Sequence, residues 1–178
     1  MNASPYDRGP QVPTFTVTST DVADGEGLPP AQFTANFGMG GTDTSPQLSW
    51  SGAPAGTMSY AVTVYDPDVP PPCGFWHWAV VDIPATATSL PAGAGDDTGS
   101  GLPSGAFQLP NDARLARYIG SAPPAGSGRH RYYVVVHAVD TASLTTVGID
   151  RETTPAMLSL VLLDHTLGRA VLTPWAER

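Results

Sequence analysis

The sequence predicts a mostly β, sandwich-like fold in a single domain, and three observations predict it. Gly and Pro number 19 each while charged residues are only 13% of the chain. That balance suits short strands joined by many turns rather than long solvated helices. Residues 59–65 (SYAVTVY), 76–83 (WHWAVVDI) and 131–139 (RYYVVVHAV) are β-branched, aromatic and bounded by turn formers. All three are nearly continuous in apolar side chains, as in strands covered on both faces.

The remaining elements follow in chain order. Residues 1–13 are polar and Pro-containing and read as a loose N-terminal segment. Residues 14–18 alternate Phe15 and Val17 with threonines, a strand signal. Residues 24–46 read as loop with one short strand, and 84–110 as mostly turns. One helix is expected over residues 154–167, with Thr154 as cap, Pro155 at its first position and Gly168 ending it. Met157, Leu158, Leu160, Val161, Leu162 and Leu163 make it apolar on most sides, so it should pack between the β body and other segments. Residues 170–173 suit a last short strand. No repeat or boundary divides the rest, so residues 14–178 are read as one domain.

Composition excludes several functions. All 8 basic residues are Arg, which removes a Lys Schiff base and a P-loop Lys. The net charge of -8 argues against nucleic acid and against docking on an anionic membrane. It leaves room for a local anion site, because a few oriented donors suffice. Cys73 is alone, so no intramolecular disulfide forms. No apolar run approaches the ~20 residues of a membrane span, and the first residues lack the pattern of a signal peptide. The expected location is cytoplasmic.

Two segments concentrate polar groups at strand ends. Asp66-Pro67-Asp68 closes one strand, a Pro-rich loop through Cys73 follows, and His77 opens the next strand. Gly120-Ser121 and a Gly/Pro loop through Gly126 lead into His130, Arg131 and Tyr132. Prolines hold such loops in one shape at little ordering cost. If the strands are neighbours, Asp66, Asp68, His77 and His130 meet in one concavity. The carboxylates would then stand behind the imidazoles and orient them toward a ligand. The Gly120–Ser121 amides would add anion donors, and Phe75, Trp76 and Tyr118 apolar walls. Each residue also has a plainer reading. An Asp-Pro-Asp triplet makes turns that bond their own backbone, a strand-end His is often structural, and adjacent Trp are usually core. Cys73 reads as a passive thiol, and His137 and His165 as structural.

Asp66-Pro67-Asp68-x-Pro with Gly74-Phe75-Trp76-His77-Trp78 resembles the first signature of the phosphatidylethanolamine-binding proteins, which include the Raf kinase inhibitor proteins. Tyr118 through Pro124, with Gly128-Arg129-His130-Arg131-Tyr132, resembles the second. Gly-Phe-Trp-His-Trp is closer to the bacterial branch, and Ser45-Pro46-Gln47-Leu48-Ser49-Trp50 also fits the family. The resemblance implies a large central antiparallel sheet, a smaller sheet, few helices, and a pocket for phosphate-like head groups. It implies ligand-binding roles for Asp66, Asp68, His77, Gly120, Pro124, His130 and Tyr132, and suggests a cis bond between Asp66 and Pro67. Ala122 departs from the Gly of eukaryotic members, and residues 111–115 lack glycines common in bacterial relatives.

The expected function is binding or regulation through a small anion or phosphorylated head group. No cofactor or metal is expected, and a homodimer is allowed. The alternatives are a cofactor-free acid–base enzyme using Asp66, His77 and His130 for dehydration, isomerisation or cyclisation, a metal site of the same residues, and inhibition of a kinase or serine protease. No GxSxG, HExxH or Rossmann fingerprint is present.

Overall fold

The predicted apolar runs sit side by side at the centre of the molecule. The computed structural model describes residues 4–178. Its strands are β1 (Thr16–Thr18), β2 (Leu48–Ser51), β3 (Ser59–Asp66), β4 (Phe75–Pro84), β5 (Ser89–Leu90), β6 (Phe107–Gln108), β7 (His130–Arg131), β8 (Tyr133–Val139), β9 (Thr166–Leu172) and β10 (Trp175–Ala176). One α-helix, α1, spans Pro155–His165. A five-stranded antiparallel sheet runs β6-β4-β3-β8-β9, and β1-β2-β5 and β10-β7 form two smaller sheets. The fold is therefore mostly β, with a large central antiparallel sheet and smaller ones.

Both faces of the central sheet are covered, which is why its strands are apolar throughout. On one face Val62, Val64, Trp78, Val134 and Val136 pack against Val17, Leu48, Trp50 and Leu90 of the three-stranded sheet. On the other, Ala61, Ala79, Val81 and Val139 meet Leu144, Ile149, Leu158 and Leu162. Burying a side chain of the Val or Leu type contributes roughly 1.5–3 kcal/mol, so these two layers dominate the stability.

The helix differs from expectation at its end. Thr154 caps it, its side chain accepting from Met157 N–H, and Pro155 opens it. It stops at His165, and Gly168 lies inside β9. A Cβ at Gly168 would come 2.7 Å from Pro54, so this glycine serves a close approach and not a cap. Only one side of α1 reaches the core: Leu158 and Leu162 are buried, whereas Met157, Leu160 and Leu163 stay about half exposed. Residues 24–46 contain a 3-10 turn at Pro30–Gln32 and isolated bridges, not a strand. Residues 4–13 lie along the second face of the sheet, where the Tyr6 ring meets Tyr133 and His137. No helix among the described residues is long and apolar enough to cross a membrane.

Candidate functional site

The loop between β3 and β4 is shaped by local chemistry. Asp66 Oδ1 accepts the Asp68 N–H at 2.7 Å, an Asx turn at the strand end. All described peptide bonds are trans, so the expected cis Asp66–Pro67 bond does not occur; the Asx turn bends the chain there instead. Gly74 closes the loop at φ 66, with a Cβ excluded by the Tyr65 hydroxyl.

A one-residue bulge then aims His77. Val64 pairs with Trp78 and Tyr65 with Trp76, leaving His77 as the extra residue of β4. A bulge lets neighbouring side chains point to the same face, so His77 joins Trp78 on the face that carries Asp66. Trp76 falls on the opposite face beside Tyr65, their rings 4.3 Å apart, and not on the expected ligand wall. Tyr118 is also interior, donating its hydroxyl to Gln32 O at 3.0 Å.

Asp66 and His77 meet at a cavity of about 190 Å³. Phe37, Phe75, Ile119 and Ala122 supply apolar wall, and Thr34, Gly120 and Tyr132 complete it. His77 Nδ1 lies 2.8 Å from Ile119 O. A carbonyl can only accept, so Nδ1 carries the proton and neutral His77 turns a lone pair on Nε2 elsewhere. Burial, first of all, lowers the pKa of His77, with the Ile119 carbonyl and the Asp66 charge working against that. Tyr132 stays protonated because burial raises its pKa, and Ser121 Oγ–H donates to its oxygen at 2.6 Å.

Of the sequence-predicted residues, Asp66, His77, Gly120 and Tyr132 line this cavity, and Asp68, Pro124 and His130 do not. The order of imidazole and carboxylate is reversed: Asp66 faces the cavity and His130 stands behind it, fully buried, with Nδ1 2.7 Å from Asp66 Oδ2. His130 Nε2 lies 2.8 Å from Ser127 Oγ. Asp68 turns away and pairs with Arg131 through both oxygens, Oδ2 with Nε and Oδ1 with Nη2, each at 2.8 Å. That guanidinium, first through its hydrogen bonds, lowers the Asp68 pKa. Pro124 is exposed.

The expected amide donors are already engaged. Gly120 N–H donates to Asp43 Oδ1 at 2.7 Å and Ser121 N–H to Gln32 O at 2.9 Å. Ala122, next along the chain, lines the cavity, and its N–H has no hydrogen-bond partner among the described residues. Sequence reasoning missed Asp43, which also accepts from Ala35 N–H and pairs with Arg117. The only available signal was an Asp in a Gly-rich loop, where its φ of 52 is tolerated. Among the described residues no three His, Cys, Asp or Glu side chains group as metal ligands would.

Comparison with known proteins places this geometry in context. The family model described as phosphatidylethanolamine-binding protein matches residues 18–175. The chain is 43% identical to UPF0098 protein YbcL of Escherichia coli over 94% of this chain and 90% of that one. It is 39% identical to UPF0098 protein YbhB of the same organism, over 87% and 95% of the two chains. The crystal structure of E. coli YbcL, described as a new member of the mammalian PEBP family, superposes with a TM-score of 0.87 over 92% of this chain and 98% of that one. A homologue from Chlamydia trachomatis, CT736, aligns with a TM-score of 0.73 at 25% identity, over 93% and 98% of the two chains.

Proposed function

Since the chain belongs to the phosphatidylethanolamine-binding protein family, we propose that it is a binding protein of that kind whose cavity takes the phosphate of a small phosphorylated head group. The observation that carries this is the joint exposure of Asp66 and His77 to one otherwise mostly apolar cavity. The ligand must bring protons to such a wall, because Asp66 and neutral His77 Nε2 both accept. A monoprotonated phosphate ester suits it: its P–OH donates to Asp66, while protonated His77 and the Ala122 N–H donate to its other oxygens. The volume sets the size. At about 190 Å³ the cavity is smaller than the ~300–1,000 Å³ of drug-sized sites, so a head group fits and acyl chains stay outside.

Binding is then linked to proton uptake. His77 begins neutral, with its pKa below the usual value of about 6.5, so affinity rises as the pH falls from 8 through 6. Calorimetric titration of phosphoethanolamine at pH 8 and pH 6 reads this directly. The expected result is at least about tenfold tighter binding at pH 6, with the gain lost in His77→Gln. Equal affinity at both pH values, or binding untouched by Asp66→Asn, would reject the reading.

A further inference from the structure

A second polar chamber lies on the opposite face of the central sheet, beneath residues 4–10. An inner space of about 30 Å³ reaches His137 and Thr166. An outer groove of about 260 Å³ reaches Leu160 and Tyr65, and the two share Tyr6, Trp76, Ser159, Leu163 and Arg169. His137 and Arg169 are cross-strand partners on β8 and β9, which brings their side chains to one face.

The inner space contains polar atoms that the protein leaves unmatched. His137 is 3% exposed and Thr166 8%, and neither His137 Nδ1 nor Thr166 Oγ1 has a hydrogen-bond partner. Each such orphan costs roughly 1–3 kcal/mol if nothing fills the space. Thr63 Oγ1 is 3.3 Å from His137 Nε2. When the Thr63 O–H donates to Nε2, the imidazole carries its proton on Nδ1, facing no acceptor. Arg169 donates one N–H to Pro10 O at 2.7 Å and lies over the Tyr6 ring at 5.1 Å, and its other guanidinium N–H groups have no hydrogen-bond partner among the described residues. No acidic side chain lines either space. Arg169, His137 and Thr166 therefore line one inner space beside an apolar groove, each with hydrogen-bonding capacity left unmatched.

We infer that this chamber is a second ligand site, separate from the Asp66 cavity, for a small carboxylate bearing a short apolar tail. The carboxylate oxygens would accept from Arg169, His137 and Thr166, and the tail would lie against Leu160, Leu163 and Trp76. The inner space is too small for more than the head of such a molecule, since one water already needs about 10–15 Å³ of it.

The test is titration of the isotope-labelled full chain with n-hexanoate, read by backbone amide NMR shifts. Saturable shifts are expected at His137, Thr166 and Arg169. Affinity should fall about tenfold or more in Arg169→Met and in Thr166→Val, the latter nearly isosteric so that the fold is retained. Asp66→Asn should leave hexanoate binding unchanged, which keeps the outcome distinct from that of the phosphate cavity. Three results would each overturn the inference: no saturation at about 10 mM hexanoate, binding lost in Asp66→Asn, or 1-hexanol binding as tightly as hexanoate.

Discussion

Asp66 and His130 hold one another in the interior, with His130 Nδ1 2.7 Å from Asp66 Oδ2 and neither side chain more than 1% exposed. The pair ties the end of β3 to β7, while the other oxygen, Oδ1, is held by the Asp68 N–H. Replacing His130 by Ala leaves a buried carboxyl without its donor. The expected loss is about 2–4 kcal/mol of unfolding free energy, measured by urea denaturation, and His130→Asn should recover part of it by supplying an N–H.

Gly120 is positioned by a close approach of backbone. A Cβ there would lie 2.3 Å from the carbonyl carbon of Phe33 and 2.4 Å from Thr34 N. These are not flexible side-chain ends, so the wall holding Thr34 and Gly120 must separate. Gly120→Ala should cost about 3 kcal/mol and weaken phosphate binding as well. A Gly120→Ala variant with wild-type melting temperature and affinity would show that the wall yields freely.

The central strands were legible because β3, β4 and β8 are covered on both faces, and that burial appears as uninterrupted apolar runs. The helix start was equally local, in Thr154 and Pro155. Its end was not, because Gly168 looks the same in sequence whether it caps a helix or admits Pro54. The site was partly legible: Asp66, His77, Gly120 and Tyr132 do share a cavity. Their order depended on a bulge at His77 and on the pairing of Asp68 with Arg131, both set by tertiary register that no short motif records. The engagement of Gly120 N–H by Asp43 joins positions distant along the chain, and residue spacing carries no trace of it.

Asp66 and Asp68 are neighbours in sequence with opposite tasks. Asp68 forms a two-oxygen pair with Arg131, with about a quarter of the Arg131 side chain exposed (26%). Asp68→Asn should cost about 1 kcal/mol and leave phosphoethanolamine affinity within about twofold. Asp66→Asn should replace the charged acceptor for the ligand proton with a neutral amide and abolish binding. Calorimetry on both variants checks the contrast, and equal losses would mean that Asp68 turns toward the ligand.

Acid should weaken the fold well before its carboxylates protonate. Burial, with help from the Arg169 charge, pushes the His137 pKa down to about 3, and burial also lowers that of His77. Above about pH 6.5 these imidazoles are neutral in both the folded and the unfolded chain, and stability does not depend on them. Below that value the unfolded chain takes up protons that the folded interior refuses, so acid draws the equilibrium toward unfolding. The slope is about 1.4 kcal/mol per pH unit for each such group until its folded pKa is reached. His137 alone should therefore remove about 2 kcal/mol between pH 6.5 and pH 5. Asp68, with its pKa lowered by Arg131, acts in the same direction only at lower pH: its pair stabilises above about 3.9 and is lost as the pH falls further. Urea unfolding at pH 7 and pH 5 should show the drop in wild type, reduced by about 2 kcal/mol in His137→Gln, which cannot titrate. An undiminished drop in that variant would mean that the folded chain takes up the His137 proton as readily as the unfolded one.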